Sequence, residues 1–383
     1  MTNVNANTYT LNFNQCVDLA LSLGTKRSIL FQGEMGIGKS SLLDTLAERL
    51  PTHDPIYLDG TTMVDSADMF MVDVSEREVY NPDNPDNPDT TKVFTHIPHE
   101  SLGFGSDRPV ILFIDEIGKM SRSAQLAALR IILERKYGKL SLPEDSIVLA
   151  TTNLSAEGVG DLLPAHGRNR LCIVNMAKPT NVEWLENFAI PAGLDPVLMS
   201  YVKDNPQLFH SFLDYEDPNE NQHIFHPRAN RDSFATPRSM AGASDILQTR
   251  HLRDEATTTA ALIGTIGRYT ALDLAAYVAL GDQLPKPDDI HSAPETATVP
   301  TSPAAICMVV YRELATIKRE QVTAWLTYMQ RLPKEAQGLF VSGVMALKGD
   351  KPAVKERREA VVQNAEYQNW CLGNNYMFSG DKA

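Results

Sequence analysis

Cysteine is scarce in this sequence. Four residues among 383, Cys16, Cys172, Cys307 and Cys371, are widely scattered and form no Cys-x-x-Cys pair. That pattern excludes a disulfide framework and a cysteine zinc cluster, and points to reduced thiols in a cytoplasmic protein. Long apolar runs are missing as well, none approaching the ~20 residues of a membrane span. The opening MTNVNANTYTLNFNQ has neither a basic start nor an apolar centre, so a secretory signal is not expected. Basic charge is in deficit: 35 Lys and Arg stand against 48 Asp and Glu, a formal net charge of −13. This works against nonspecific binding of a phosphate backbone. No stripe of basic and aromatic residues offsets it, so nucleic acid is not the expected partner. His96, His99, His166, His223 and His226 show no ligand spacing and read as surface or core residues. What remains is an ordinary soluble composition, 43% hydrophobic and 22% charged. The chain is too long for one core, so two or three domains are expected.

The informative stretch is ILFQGEMGIGKSSLLDTLAERL, residues 29–50. The apolar Ile29-Leu30-Phe31 fits a short buried strand. It runs into Gly33-Glu34-Met35-Gly36-Ile37-Gly38-Lys39-Ser40, which matches the phosphate-loop pattern G-x-x-x-x-G-K-[ST]. Leu42, Leu43, Leu46 and Leu50 then recur at helical spacing, with Asp44, Glu48 and Arg49 on the other face. Glycines at 33, 36 and 38 allow sharp turns that aim backbone N–H groups at phosphate oxygens, and the following helix adds its positive end. Lys39 reaches β- and γ-phosphates, and the Ser40 hydroxyl can ligate Mg²⁺. The sequence therefore predicts a nucleoside triphosphate site.

Other elements fall into place around it. Cys16, Val17, Leu19, Ala20 and Leu23 give residues 1–27 a lead-in helix stopped at Gly24. Ile56-Tyr57-Leu58 reads as a second strand. Residues 60–109 change texture, with Met63, Met69, Met71 and a tandem Asn-Pro-Asp repeat at Asn81–Asp89. Such a repeat cannot form helix or central strand and reads as an exposed loop. Pro109–Ile114 is a continuous apolar strand of the kind buried on both faces of a parallel sheet, ending in Asp115-Glu116. A helix carrying Leu126, Leu129 and Leu133 follows, then a short hairpin at Lys139–Pro143. Ile147–Ala150 is the next buried strand, leading into Thr151-Thr152-Asn153, and Leu171–Val174 is a fifth. Alternating strands and helices predict a three-layer α/β domain. Past Lys178 the pattern is helical. Thr180 with Glu183 forms a capping box, and Asp195-Pro196, Asn205-Pro206 and Thr236-Pro237 each place a cap before a first-turn proline. A Pro- and Asp-rich linker, Gly281–Pro303, precedes the last helical block.

Asp115 and Glu116 differ in expected role because successive strand side chains point to opposite faces. Asp115 sits where it can orient Mg²⁺, and Glu116 where it can polarise an attacking water. Asn153, at the tip of the neighbouring strand, can bind the same water or the γ-phosphate.

GEMGIGKS, FIDE, ATTN and ATPR, in this order, resemble the phosphate loop, Walker B, sensor 1 and sensor 2 motifs of AAA+ ATPases. ILFIDEIGKMSRSAQLAALRIILERKYG, LSLPEDSIVLATTN, a pair of arginines before a strand and FATPRSMAGAS are similar to the MoxR branch. The likeness continues weakly through IGTIGRYTALDLAAYVAL and WLTYMQRLPKEAQGLF, covering most of the chain. It implies an AAA+ three-layer P-loop domain with a five-stranded parallel sheet ordered 5-1-4-3-2, followed by an all-α lid and a helical C-terminal region. Domains of 1–178, 179–280 and 281–383 follow, with residues 60–109 supplying the helix-2 insert of that branch. The resemblance also implies a hexameric ring with nucleotide between neighbours. Arg170, in GRNRLCIV, matches the arginine finger of the family's NRF motif, although Leu171 replaces the usual Phe and Arg168 stands two residues earlier. Arg170 is favoured over Arg168 as the finger. Arg238 matches sensor 2.

The expected site thus has Glu116, Lys39, Asn153, Arg170 or Arg168, and Arg238 in catalysis. Gly33, Glu34, Met35, Gly36, Ile37, Gly38, Lys39, Ser40, Ser41 and Asp115 bind ATP, with Ser40 and Asp115 on Mg²⁺. The implied activity is ATP hydrolysis that remodels or matures a client protein, with a von Willebrand A-type partner. A nucleotide-gated assembly scaffold is the rival reading, and a ring motor on nucleic acid a third.

Overall fold

The computed structural model describes residues 10–80, 89–154, 157, 169–281, 284–348 and 352–374. Contacts divide the chain into two compact units, residues 1–178 and 179–383.

The first unit is built on a parallel sheet. Its strands are β1 (Thr10–Leu11), β2 (Ile29–Gln32), β3 (Asp54–Asp59), β6 (Val110–Asp115), β9 (Ile147–Thr152) and β10 (Cys172–Met176), in the spatial order β1-β10-β2-β9-β6-β3. Without β1 this is the 5-1-4-3-2 order implied by the resemblance. The sixth strand is an addition to the five expected. Thr10 pairs with Asn175 and Leu11 with Met176, a contact too short to leave a periodicity in sequence. The lead-in helix is α1, Phe13–Leu23, opened by a reciprocal Asn12–Gln15 capping box and closed at Gly24 as expected.

Alternation within the buried strands makes three layers. Ile29, Phe31, Ile111, Phe113 and Leu149 face α1 and α2 (Ser41–Arg49), meeting Cys16, Val17, Ala20, Leu42, Leu43 and Leu46. Leu30, Leu112, Ile114, Val148 and Ala150 face the other way, onto Ala124, Ala128, Ile131 and Ile132 of α3 (Arg122–Glu134). Every residue of β6 and β9 is buried, which fixes the ends of these two strands rigidly. Truncating Leu46 to Ala, under the phosphate loop's helix, would cost about 2–5 kcal/mol.

Between β3 and β6 the chain leaves the sheet. A ten-pair antiparallel ribbon, β4 (Phe70–Val79) and β5 (Asp89–Pro98), packs against the rest of the unit near its base. There Phe70 stacks on Tyr137, ring centres 3.4 Å apart, and His96 meets both rings edge-on. Tyr137 lies in a small hairpin, β7 (Lys136–Tyr137) and β8 (Leu140–Ser141). Farther out Val74 pairs with Phe94 and both are exposed. Residues 81–88 of the Asn-Pro-Asp repeat lie outside the described residues, and Asp89 opens β5. Among the described residues between β3 and β6 there is no α-helix, only single 3₁₀ turns and this ribbon.

The second unit is helical, with one apolar core running from Trp184 through Tyr201, Met240, Tyr311 and Trp325 to Tyr367. Thr180 and Glu183 cap reciprocally, and Asp195 accepts from the amides of Val197 and Leu198. Asn205 departs from expectation. It makes no side-chain cap, and Pro206–Phe209 is a 3₁₀ turn. The linker reading of Gly281–Pro303 is also incomplete, because Pro287–Ser292 forms a helix that buries Ile290.

Candidate active site

The phosphate loop joins β2 to α2. Gly36 and Gly38 have φ of 71° and 98°, a left-handed backbone that side chains disfavour. Gly33 serves differently: a Cβ there would lie 2.6 Å from Ile37 Cδ1 and 3.0 Å from the Met176 carbonyl. Ile37 is buried and anchors the loop from below, and the Ser41 amide closes it onto the Gly38 carbonyl at 3.1 Å. Glu34 is buried too, its carboxylate 3.9 Å from the ammonium of buried Lys178. Lys39 is buried with its ammonium on the Gly33 and Glu34 carbonyls, both at 2.9 Å, and on Asn153 Oδ1 at 2.6 Å.

Asp115 ends β6 beside this loop. Its Oδ2 accepts from Ser40 Oγ at 2.7 Å and Tyr57 Oη at 3.0 Å. Its Oδ1 accepts from the Thr151 hydroxyl and, at 3.1 Å, from the Glu116 amide. Burial alone would raise its pKa, but hydrogen bonds from Thr151, Ser40 and Tyr57 and the charge of Lys39 outweigh burial and hold it below the usual carboxylate range. Ser40 and Asp115 bring two hard oxygen donors together at a helix start and a strand end. That donor set fits Mg²⁺, which keeps several waters and takes few protein ligands.

Glu116 corrects the strand-alternation argument. The strand stops at Asp115, and Glu116 sits in a left-handed conformation, φ 54°. That turn separates the two carboxylates. Its amide also donates to Thr151 Oγ1 at 3.2 Å, and its carboxylate lies 3.4 Å from the ammonium of Lys119. A left-handed non-glycine residue is a mild strain of the sort found at working sites. Gly60, just past β3, makes room for the turn, because a Cβ there would stand 2.6 Å from the Asp115 carbonyl and 2.8 Å from that of Glu116.

Lys39, Ser40, Asp115, Glu116 and Asn153 are therefore gathered at the carboxyl edge of the sheet. Arg170 is not among them. It is exposed in the turn before β10, whose Cys172 is paired with Ile29 at the start of β2, so it lies at the opposite edge. At about 3.3 Å per strand residue, roughly 15 Å of sheet separates its level from the phosphate loop of the same chain. Arg168 lies outside the described residues. Arg238 belongs to the second unit, exposed one residue beyond Pro237 in the helix Pro237–Gln248, which opens with a Thr236–Ser239 capping box. Four residues of the site carried no signal of their own in sequence: Tyr57, Gly60, Thr151 and Glu157. Only Thr151, at a strand tip beside Asn153, could have been nominated from its position.

The profile of the AAA family, "ATPase family associated with various cellular activities", matches residues 29–174, the span that carries this loop and both carboxylates. Residues 29–174 are thus similar to an AAA ATPase domain. Two solved structures resemble it. One is a Cytophaga hutchinsonii protein provisionally assigned as an ATPase, 19% identical over 45% of this chain and 48% of that one, with a TM-score of 0.30. The chain thus spans about half the length of that protein. The other is the Thermotoga maritima RuvB Holliday junction branch migration motor, 15% identical over 69% of this chain and 67% of that one, TM-score 0.35. No curated protein matches the chain in sequence. No helix among the described residues is long and apolar enough to cross a membrane.

Proposed function

We propose that this protein is a MoxR-type AAA+ ATPase that works as a ring, hydrolysing ATP between neighbouring copies to remodel or mature a client protein. One observation carries the reading: neighbouring Lys39 and Ser40 of the phosphate loop are each hydrogen-bonded to a strand-end side chain far along the chain, Lys39 to Asn153 and Ser40 to Asp115. Lys39 already touches Asn153, and exchanging loop carbonyls for phosphate oxygens would place it on the β- and γ-phosphates. Ser40 and Asp115 would hold Mg²⁺, which neutralises charge on phosphate oxygens when bound. Glu116 is assigned as the base that orients and deprotonates the attacking water, and Asn153 as the side chain that fixes that water or the γ-phosphate.

Arg170 is assigned to the neighbouring copy's site. Its exposure and its place at the far edge of the sheet support this, since it cannot reach its own loop. A cation arriving from the next subunit would stabilise the charge developing on the transferred phosphoryl group. Arg238 is assigned to the γ-phosphate of its own subunit. A hexamer, a von Willebrand A-type partner and a cytoplasmic setting complete the proposal, all resting on the MoxR resemblance.

The test compares phosphate release by wild type, Glu116→Gln, and a variant with Arg168 and Arg170 both changed to Ala, across a dilution series. The expected result is turnover lowered about 10²-fold or more in Glu116→Gln, and wild-type turnover per chain that falls on dilution. Wild-type rates from the double arginine variant at monomeric dilution would sink the shared-site reading.

A further inference from the structure

Glu157 is used by no step above, yet it lies against the phosphate loop. Its own amide donates to the Leu154 carbonyl at 3.0 Å. Its Oε1 accepts the backbone N–H of Met35, 122 residues earlier, at 3.1 Å. Its Oε2 is buried and has no hydrogen-bond partner among the described residues. Met35 is the third residue of GEMGIGKS, in the loop whose backbone N–H groups cradle phosphate. A carboxylate oxygen on a phosphate-loop amide, beside the Lys39 ammonium, occupies the kind of position that a phosphate oxygen takes. An unpartnered buried oxygen is costly to maintain and is relieved when the side chain leaves.

We propose that Glu157 is an internal occupant of the phosphate cradle, a residue that must withdraw before nucleotide phosphates can bind and that thereby sets nucleotide affinity. The inference rests on the reading that this loop binds a nucleotide. A carboxylate and a polyphosphate are both anions competing for one loop and for the charge of Lys39, so binding of ADP or ATP drives the Glu157 carboxylate out. Apparent affinity is then reduced by the fraction of chains in which the cradle is free. The charged groups facing Glu157 are Lys39 and Glu34 of the loop and Glu116 beyond β6. Burial, with Glu34 and Glu116 adding to it against the Met35 amide and Lys39, pushes the Glu157 carboxyl up to about 7. The occupant therefore loses its charge in mildly acid solution.

The experiment is calorimetric titration of the full chain with ADP, and separately with inorganic pyrophosphate, in Mg²⁺. Wild type, Glu157→Gln and Glu157→Ala are compared at pH 6 and pH 8. Removing an occupant present about nine-tenths of the time tightens binding about tenfold. Glu157→Ala is expected to bind both probes about tenfold more tightly than wild type at pH 8. Glu157→Gln, which keeps the shape and an acceptor but loses the charge, should fall between. At pH 6 the gap between wild type and Glu157→Gln should close. Equal or weaker binding by both variants at pH 8 overturns the role of Glu157 and leaves the nucleotide reading standing. If no form binds ADP while all melt cooperatively, the nucleotide reading falls, and this inference with it.

Discussion

The ammonium of Lys39 donates to Asn153 Oδ1 at 2.6 Å, joining the start of α2 to the strand tip of β9 across 114 residues. Both side chains are buried. A buried ammonium that loses an acceptor must find another or pay desolvation. Asn153→Ala is therefore expected to lower kcat by about 10–100-fold, in the range seen when one positioned polar contact to a transition state is removed. Steady-state phosphate release, read as kcat and KM separately, checks this. A rise in KM alone would mean that Asn153 only helps substrate bind.

Gly60 faces the Asp115 and Glu116 carbonyls closely enough that a methyl group would displace the backbone carrying both carboxylates. Gly60→Ala should destabilise the first unit by about 1–3 kcal/mol, the usual penalty of overpacking. It should also reduce turnover more than nucleotide affinity, because the loop itself is untouched. Thermal melting and ADP titration of the same preparation separate the two effects.

Thr151 supplies a hydrogen bond that keeps Asp115 ionised. A carboxylate with a depressed folded pKa contributes stability above its unfolded pKa, about 3.9, and that contribution is lost as pH falls through the folded value. Thr151→Val removes the donor, so the acid unfolding midpoint should move to higher pH. The acid limb of the rate profile should move the same way. Unchanged midpoints in both measurements would show that Ser40 and Tyr57 suffice.

In the second unit His291 Nε2 lies 2.8 Å from the carboxylate of buried Glu313. The hydrogen bond to Glu313 raises the imidazole pKa against burial, with further help from the Glu313 and Asp288 charges. A histidine raised on folding stabilises fully below its unfolded pKa, about 6.5, and loses that contribution as pH rises through the folded value. Glu313→Gln should thus lower the melting temperature more at pH 5.5 than at pH 9, the difference being about 2–4 °C for each kcal/mol involved. A depression independent of pH would reduce the pair to packing.

The parts of this molecule legible in sequence are those decided within a turn or two of chain. The phosphate loop is one, since Gly36 and Gly38 alone permit its left-handed turns. The Thr180–Glu183 capping box and the wholly apolar β6 and β9 are others, fixed by hydrogen bonds three residues apart and by burial on both faces. Ideal local geometry is broken at individual residues. Alternation assigned Asp115 and Glu116 to opposite faces of a strand, yet a left-handed turn at Glu116 divides them. Asn205 resembled a cap and is not one, and the two residues of β1 were too few to show any pattern.

Nothing local nominated Tyr57 or Glu157, and only its place at a strand tip pointed to Thr151, because their partners lie 58, 122 and 36 residues away. Sequence by itself determined that a glycine turn before an amphipathic helix would present amides and a lysine to phosphate, since backbone conformation and side-chain chemistry at eight consecutive positions suffice for that. Only the tertiary structure decided which hydroxyls bind Asp115, what keeps Glu116 in its turn and which carboxylate rests on the Met35 amide. Those outcomes depend on strand order and register, and parallel pairing brings together residues that share no neighbourhood along the chain.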